Sequence, residues 1–245
     1  MSDDASHSYG QHTDTGMLRG INEDSVLSQT LPSPNGGRGI GLFIVADGLG
    51  GHADGEKASK LAIETVSSRV AQNLGATAHA EVLQTAIENA NDILLEELPG
   101  SGTAITVVLI EGRTAHIAHV GDTRAYLVTP DGLRQLTVDH TLVQKMIEAG
   151  QMTREQADES PIEHVLYQAV GVEQELRVDT WVYDLPPGSR LLMCSDGLWK
   201  LVNGEKLQEI ILRDENPQEA CDKLVALANY LGGTDNITAI VVSLE

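Results

Sequence analysis

Six apolar runs rich in β-branched residues set most of what this chain can become: Gly41 to Ala46, Ala104 to Ile110, Ala115 to Val120, Arg124 to Val128, Arg190 to Ser195 and Ile237 to Leu244. Runs of that length and composition read as strands. Helical spacing falls mainly before and after them. Ala58, Leu61, Ala62, Thr65, Val66 and Val70 form one apolar stripe, and Val82, Leu83, Ala86, Ile87, Ala90, Ile93 and Leu94 form a second. A third amphipathic helix opens at Asn216-Pro217 and closes at Gly232-Gly233, and a shorter one spans Gly204 to Arg213. Strands in consecutive runs, with helices bunched outside them, predict an antiparallel layered α+β domain rather than a parallel βαβ fold. His119-Val120-Gly121-Asp122-Thr123-Arg124 predicts a hairpin with Asp122 at its tip. From Asp139 to Val172 the pattern breaks into short helical pieces without a strand, Leu142 to Ala149 and the capping box Thr153-Arg154-Glu155-Gln156. That insert, about 141–171, reads as a flap beside the domain. No internal repeat divides the chain, so a single domain is expected over 1–245, with a flexible start over residues 1–12.

The balance of 36 acidic against 16 basic residues, a formal net charge of -20, repels nucleic acid and anionic membranes over most of the surface. Most of that charge serves as a solvated surface. Two cysteines, Cys194 in an apolar run and Cys221 in a helical pattern, make no disulfide framework and fit a reducing compartment. The first residues, MSDDASHSYGQH, carry no signal-peptide pattern, and no segment has membrane-spanning length. These features predict a cytoplasmic protein and, by its acidity, a monomer.

The informative detail is how the apolar runs stop. LFIVADG ends on Asp47-Gly48, LLMCSDG ends on Asp196-Gly197, and Asp235 in GGTDN stands just before ITAIVV. HVGDTR supplies a fourth aspartate, Asp122. A carboxylate inside a core run would cost several kcal/mol, whereas one at a strand end can point into a polar cleft or onto a cation. Singly, each Asp-Gly reads as a turn former. Four such sites together suit hard divalent cations, Mg²⁺ or Mn²⁺, which take carboxylate, carbonyl and water oxygens. The lack of a Cys or His cluster at ligand spacing argues against zinc. The glycines of VADGLGGHADG form neither a P-loop nor a dinucleotide fingerprint. Arg19, in TDTGMLRGINED, either balances surface carboxylates or, facing a metal cluster, holds two oxygens of a phosphoryl group.

In order, TDTGMLRGINEDS, VADGLGGHADGEKAS, GTAITVV, HVGDTRAYL, QLTVDHT, CSDGLW and TDNITAIVV resemble the metal-dependent protein serine/threonine phosphatases, the PPM or PP2C family, in a bacterial form. The match runs from about Thr13 to the end of the chain. The resemblance implies a four-layer α/β/β/α sandwich of two antiparallel sheets flanked by helix pairs. It implies that two Mn²⁺ or Mg²⁺ ions are held by Asp47, Asp196, Asp235 and the Gly48 carbonyl, with Asp122 and Asp196 around a third, weaker ion. Glu23 and Asp24 would orient waters on the metals, and Arg19 would grip the substrate phosphate. Two such ions activate a water for in-line attack on the phosphoryl group, with no phosphoenzyme. Arg19 and Asp47 are then the expected catalytic pair.

Two departures stand out. Leu49 follows Asp47-Gly48 where eukaryotic members have histidine, so the general acid is open between His52 and a water; His52 reads better as a structural residue. In the flap, Tyr167-Gln168-Ala169-Val170-Gly171 lacks the arginine that bacterial relatives carry in Thr-Arg-Ala. His140, in VDHT, reads as structural. The expected partners are phosphorylated proteins, including a serine/threonine kinase and its substrates. A phosphatase dedicated to one partner, such as an anti-sigma-factor antagonist, usually comes with a sensor domain. A non-catalytic scaffold conflicts with the intact ligand set, and a nuclease conflicts with the charge.

Overall fold

The computed structural model describes residues 7–49, 53–172 and 174–244. The chain begins with β1 (His7–Asp14), β2 (Asp24–Leu31) and β3 (Ile40–Leu49), then two long helices, α1 (Ala53–Asn73) and α2 (His79–Glu97). Next come β4 (Gly102–Glu111), β5 (Thr114–Val120), β6 (Arg124–Thr129) and β7 (Gly132–Gln135). After short helices α3 (Leu142–Glu148) and α4 (Arg154–Asp158) follow β8 (Asp179–Asp184) and β9 (Arg190–Cys194). The chain closes with α5 (Asp196–Trp199), α6 (Gly204–Arg213), α7 (Pro217–Tyr230) and β10 (Ile237–Leu244).

Two five-stranded sheets result, β1-β10-β9-β6-β7 and β2-β3-β4-β5-β8, with antiparallel pairing throughout. Their inner faces meet in a core of Phe43, Val45, Val108 and Ile117 against Leu191, Met193, Ile240 and Val242. Alternate residues of the same strands face outward: Leu42, Ile44, Ile105 and Val107 pack under Val66, Leu83 and Ile87 of α1 and α2. On the other side Leu192, Ala239 and Val241 pack under Leu207, Ile211 and Leu224 of α6 and α7. Burial on both faces explains why central strands read as unbroken apolar runs rather than alternating ones. The layers are the α/β/β/α sandwich that the resemblance implies.

Helix boundaries follow their capping chemistry. The Asn203 side chain accepts from Lys206 N–H to start α6, and Asn216 accepts from Gln218 N–H ahead of Pro217 to start α7. Thr153 and Gln156 form the reciprocal capping box of α4 that TREQ predicts.

Two expectations are corrected. The start is not loose through residue 12, because His7–Asp14 is an edge strand paired along its length with β10. Backbone bonding to β10 holds a segment whose side chains are mostly polar. Nor do β5 and β6 form a hairpin: they lie in different sheets, and Gly121-Asp122-Thr123 carries the chain from one sheet to the other. His52 lies outside the described residues.

The segment after β7 holds α3 and α4 and is tied at both ends. Leu142 N–H donates to Val165 C=O and Tyr167 N–H to His140 C=O, both at 2.9 Å, while Gly171 N–H donates to Asn91 Oδ1 at 2.8 Å. Gln168 Oε1 accepts from Arg177 N–H at 3.3 Å. Among the described residues no helix is long and apolar enough to cross a membrane.

Candidate active site

The apolar strand β3 carries Asp47 to its end, where the backbone still pairs with Asp24 on one side and Ala104 on the other. The Asp47 carbonyl accepts from Thr103 Oγ at 2.8 Å. Gly48 N–H donates to Glu23 C=O at 3.2 Å, and that same carbonyl accepts from Ser59 Oγ of α1 at 2.6 Å. A Cβ on Gly48 would stand 2.2 Å from the Gly55 carbonyl oxygen, so only glycine lets the strand end pass this close to the first turn of α1.

Asp196 and Asp235 come from the facing sheet. Asp196 opens α5 directly after β9, and Asp235 precedes β10, the neighbour of β9. Asp24 joins the two sheets: its Oδ2 accepts from Ser195 Oγ and Thr238 Oγ, each at 2.6 Å. Asn236 anchors the loop that bears Arg19. Its Nδ2 donates to Thr15 C=O at 2.8 Å and Ile21 C=O at 2.9 Å, while its Oδ1 accepts from Glu23 N–H at 2.8 Å. Arg19 Nη2 then reaches Asp235 Oδ2 at 2.7 Å.

Asp122 is fixed by its neighbours. Gly121 has φ +105°, and its peptide is gripped by two histidines. Gly121 N–H donates to His140 Nδ1 at 3.2 Å, and Gly121 C=O accepts from His140 N–H at 2.7 Å and from His119 Nε2 at 3.0 Å. His140 Nε2 is left to face Asp179 Oδ2 at 3.4 Å. Trp199 Nε1 donates to Asp122 C=O at 3.1 Å. Burial, with His140 beside it, pulls His119 down to about 3, so it stays neutral and structural.

These pieces converge on one cavity of about 470 Å³, lined by Arg19, Glu23, Asp47, Gly48, Asp122, Asp196 and Asp235. Asp24 is buried. From the flap, Glu163, His164 and Leu166 line the same cavity. The carboxylates strain against one another. Burial, then the fields of Asp24, Asp196, Asp122 and Asp235, hold the Asp47 carboxyl well above its ordinary range. Asp122 is pushed up to about 8 by burial, Asp196 and Asp139, against Lys200 and Arg124. Asp24 rises to about 7 through burial, opposed by its two hydroxyl donors and reinforced by Asp196 and Asp235.

Comparison with known proteins places this arrangement. The model of the family described as protein phosphatase 2C matches residues 21–231. The chain belongs to the protein phosphatase 2C family. It is 35% identical to the serine/threonine phosphatase stp of Listeria innocua over 94% of this chain and 93% of that one. The S. agalactiae serine/threonine phosphatase superposes with a TM-score of 0.90 at 30% identity, covering 98% of this chain and 100% of that one. The catalytic domain of PstP, solved in complex with two manganese ions, superposes with a TM-score of 0.83 at 30% identity, over 98% of this chain and 99% of that one.

Does the donor set of this phosphatase 2C member suit such ions? It offers hard oxygen donors, mutual repulsion that a cation would relieve, and a buried Asp24 Oδ1 with no hydrogen-bond partner. Arg19 holds Asp235, and Lys200 Nζ holds Asp196 Oδ2 at 2.6 Å. In that state no three His, Cys, Asp or Glu side chains among the described residues are gathered into a cage for a cation. The donors fit in kind and location, and the more exposed guanidinium contact on Asp235 is one a divalent ion can replace.

Of the residues expected from the sequence, Arg19, Glu23, Asp47, Gly48, Asp122, Asp196 and Asp235 line this cavity, and Asp24 is buried where its strand pairs with Asp47. Asn236, His119 and Lys200 have no place in that expectation. Lys200 had a legible signal, since it stands four residues after Asp196, the spacing that brings side chains together on a helix.

Proposed function

We propose that this cavity is the active site of a metal-dependent protein serine/threonine phosphatase, which hydrolyses phosphoserine and phosphothreonine in proteins. The observation that carries the reading is the meeting of Asp47 from one sheet with Asp196 and Asp235 from the other, in a cavity that also receives Arg19. Asp47, the Gly48 carbonyl, Asp196 and Asp235 would hold two Mn²⁺ or Mg²⁺ ions, which supply a nucleophilic water at neutral pH and offset phosphoryl charge.

The other tasks fall to side chains. Arg19 has five N–H donors and spends one on Asp235, so its fork can turn to a phosphate without losing its tether loop. Glu23 and Asp24 back the Asp47 strand end, Glu23 at the cavity wall and Asp24 behind it. The flap residues Glu163, His164 and Leu166 form part of the cavity wall, where substrate choice would be made. Phosphoproteins are the substrates that the names of the relatives support; a partner serine/threonine kinase, monomeric state and cytoplasmic location belong to the same proposal. Two buried cysteines, both free, suit a reducing compartment.

The test is hydrolysis of a phosphothreonine peptide by purified protein with Mn²⁺, with EDTA, and by Asp196→Asn. Activity should require metal and fall on the order of 10³-fold in the variant, as when one preorganised charge is removed from a catalytic site. A folded protein that binds Mn²⁺ and hydrolyses nothing would overturn the reading in favour of a scaffold.

A further inference from the structure

Lys200 is a cation placed among acids from three separate elements. It caps the single turn of α5, one helical turn beyond Asp196, and its Nζ donates to Asp196 Oδ2 at 2.6 Å. Its side chain is 26% exposed and that of Asp196 is 14% exposed, so this is no loose surface pair. The same cavity wall includes Asp122 from the sheet-to-sheet crossover and Glu163 from the flap. Trp199 fixes the surroundings: its indole N–H bonds the Asp122 carbonyl, and its ring centroid lies 5.3 Å from Lys200 Nζ.

Asp122 is buried and lines the same cavity as Asp196 and Lys200, and two carboxylates so placed need a positive charge near them. A divalent ion shared by these two carboxylates would have to displace Nζ or lie against it. We infer that Lys200 is the resident cation of the Asp122–Asp196 side of the site, so that the chain takes two divalent ions and excludes a third from that position. The inference rests on the proposed metal-dependent reading. It assigns Lys200 a positioning role: it holds Asp196 and offsets Asp122 without touching the phosphoryl group.

The consequence is read in metal stoichiometry. Equilibrium dialysis with electron paramagnetic resonance counting of free Mn²⁺ would compare wild type, Lys200→Gln, Lys200→Arg and the double variant Lys200→Gln/Asp122→Asn. Wild type and Lys200→Arg should each bind two ions. Lys200→Gln should gain a third, at least about tenfold tighter than any third binding in wild type, because a like charge a few ångströms away has gone. The double variant should lose it again. Circular dichroism and thermal melts on each protein separate loss of fold from loss of sites. Three ions in wild type, or two in a folded Lys200→Gln, would overturn the inference and leave the phosphatase reading standing. No ion bound to wild type would instead overturn the metal-dependent reading itself, and the role of Lys200 with it.

Discussion

Two cation–carboxylate pairs of nearly equal length sit at the same cavity, and they are built differently. Arg19–Asp235 spans 2.7 Å with side chains 47% and 32% exposed; Lys200–Asp196 spans 2.6 Å with side chains 26% and 14% exposed. Arg19 hangs from a loop that Asn236 ties down, whereas Lys200 stands one helical turn from its partner. An exposed ion pair contributes about 0–1 kcal/mol and exchanges readily, while breaking a buried pair leaves an uncompensated charge. The difference divides the labour. The guanidinium is free to leave Asp235 for an arriving phosphate, and the ammonium stays to let Asp122 and Asp196 coexist.

The division is broken most directly at Arg19. Arg19→Ala should lower kcat/KM for a phosphothreonine peptide on the order of 10²–10³-fold, the loss expected when one charge-stabilising donor is removed. Its Mn²⁺ stoichiometry should remain that of wild type. A changed ion count in Arg19→Ala would mean that both cations serve metal assembly, and the contrast with Lys200 would fail.

Asn236→Ala sharpens the same side with a smaller effect. It unties the Thr15 and Ile21 carbonyls and the Glu23 N–H at once, so the Arg19 loop loses its register while Arg19 itself remains. Activity should fall about 10–100-fold, the usual cost of removing a group that orients a site. In the double variant with Arg19→Ala the two losses should be far from additive, because both act through one guanidinium. Additive losses would show that Asn236 works through Asp235 instead.

What the sequence disclosed follows the same physics as the site. The six strands legible from apolar runs are β3, β4, β5, β6, β9 and β10, and these are the interior strands of the two sheets. The four it hid, β1, β2, β7 and β8, are the edges. HSYGQHTD and DSVLSQTL are held largely by backbone pairing along one side and need few apolar residues, so periodicity carries little trace of them. The aspartates were visible because a carboxylate is costly inside an apolar run and must mark its end. Asp122 was found for that reason and yet misplaced. HVGDTR looks like a hairpin, but β5 and β6 lie in different sheets, and the Gly121 peptide between them is held by His140, 19 residues further along the chain. Lys200 was missed because a lysine on a short helix normally belongs to solvent.

The smallest expected effect, and the one that tests the electrostatics of both pairs together, is the pH dependence of stability. Asp24 at about 7, Asp122 at about 8 and Asp47 well above its ordinary value all titrate higher in the fold than in the unfolded chain. Below the unfolded carboxylate range both states are protonated; between that range and the folded values the native state binds more protons, so stability falls as pH rises. His119, held near 3, acts in the opposite direction, but its contribution is complete above the ordinary histidine range. From about pH 6.5 to pH 8 the acids therefore dominate, and the metal-free protein should lose several degrees of Tm, since roughly 1 kcal/mol moves a chain of this size by 2–4 °C. Saturating Mn²⁺ competes with protons for the same oxygens, so the Tm gain from metal should be larger at pH 8 than at pH 6.5. Differential scanning fluorimetry with and without EDTA reads both slopes. A metal-free Tm that rises over this interval would mean that Arg19 and Lys200 already neutralise the cluster, which would move both cations to the structural side of the comparison.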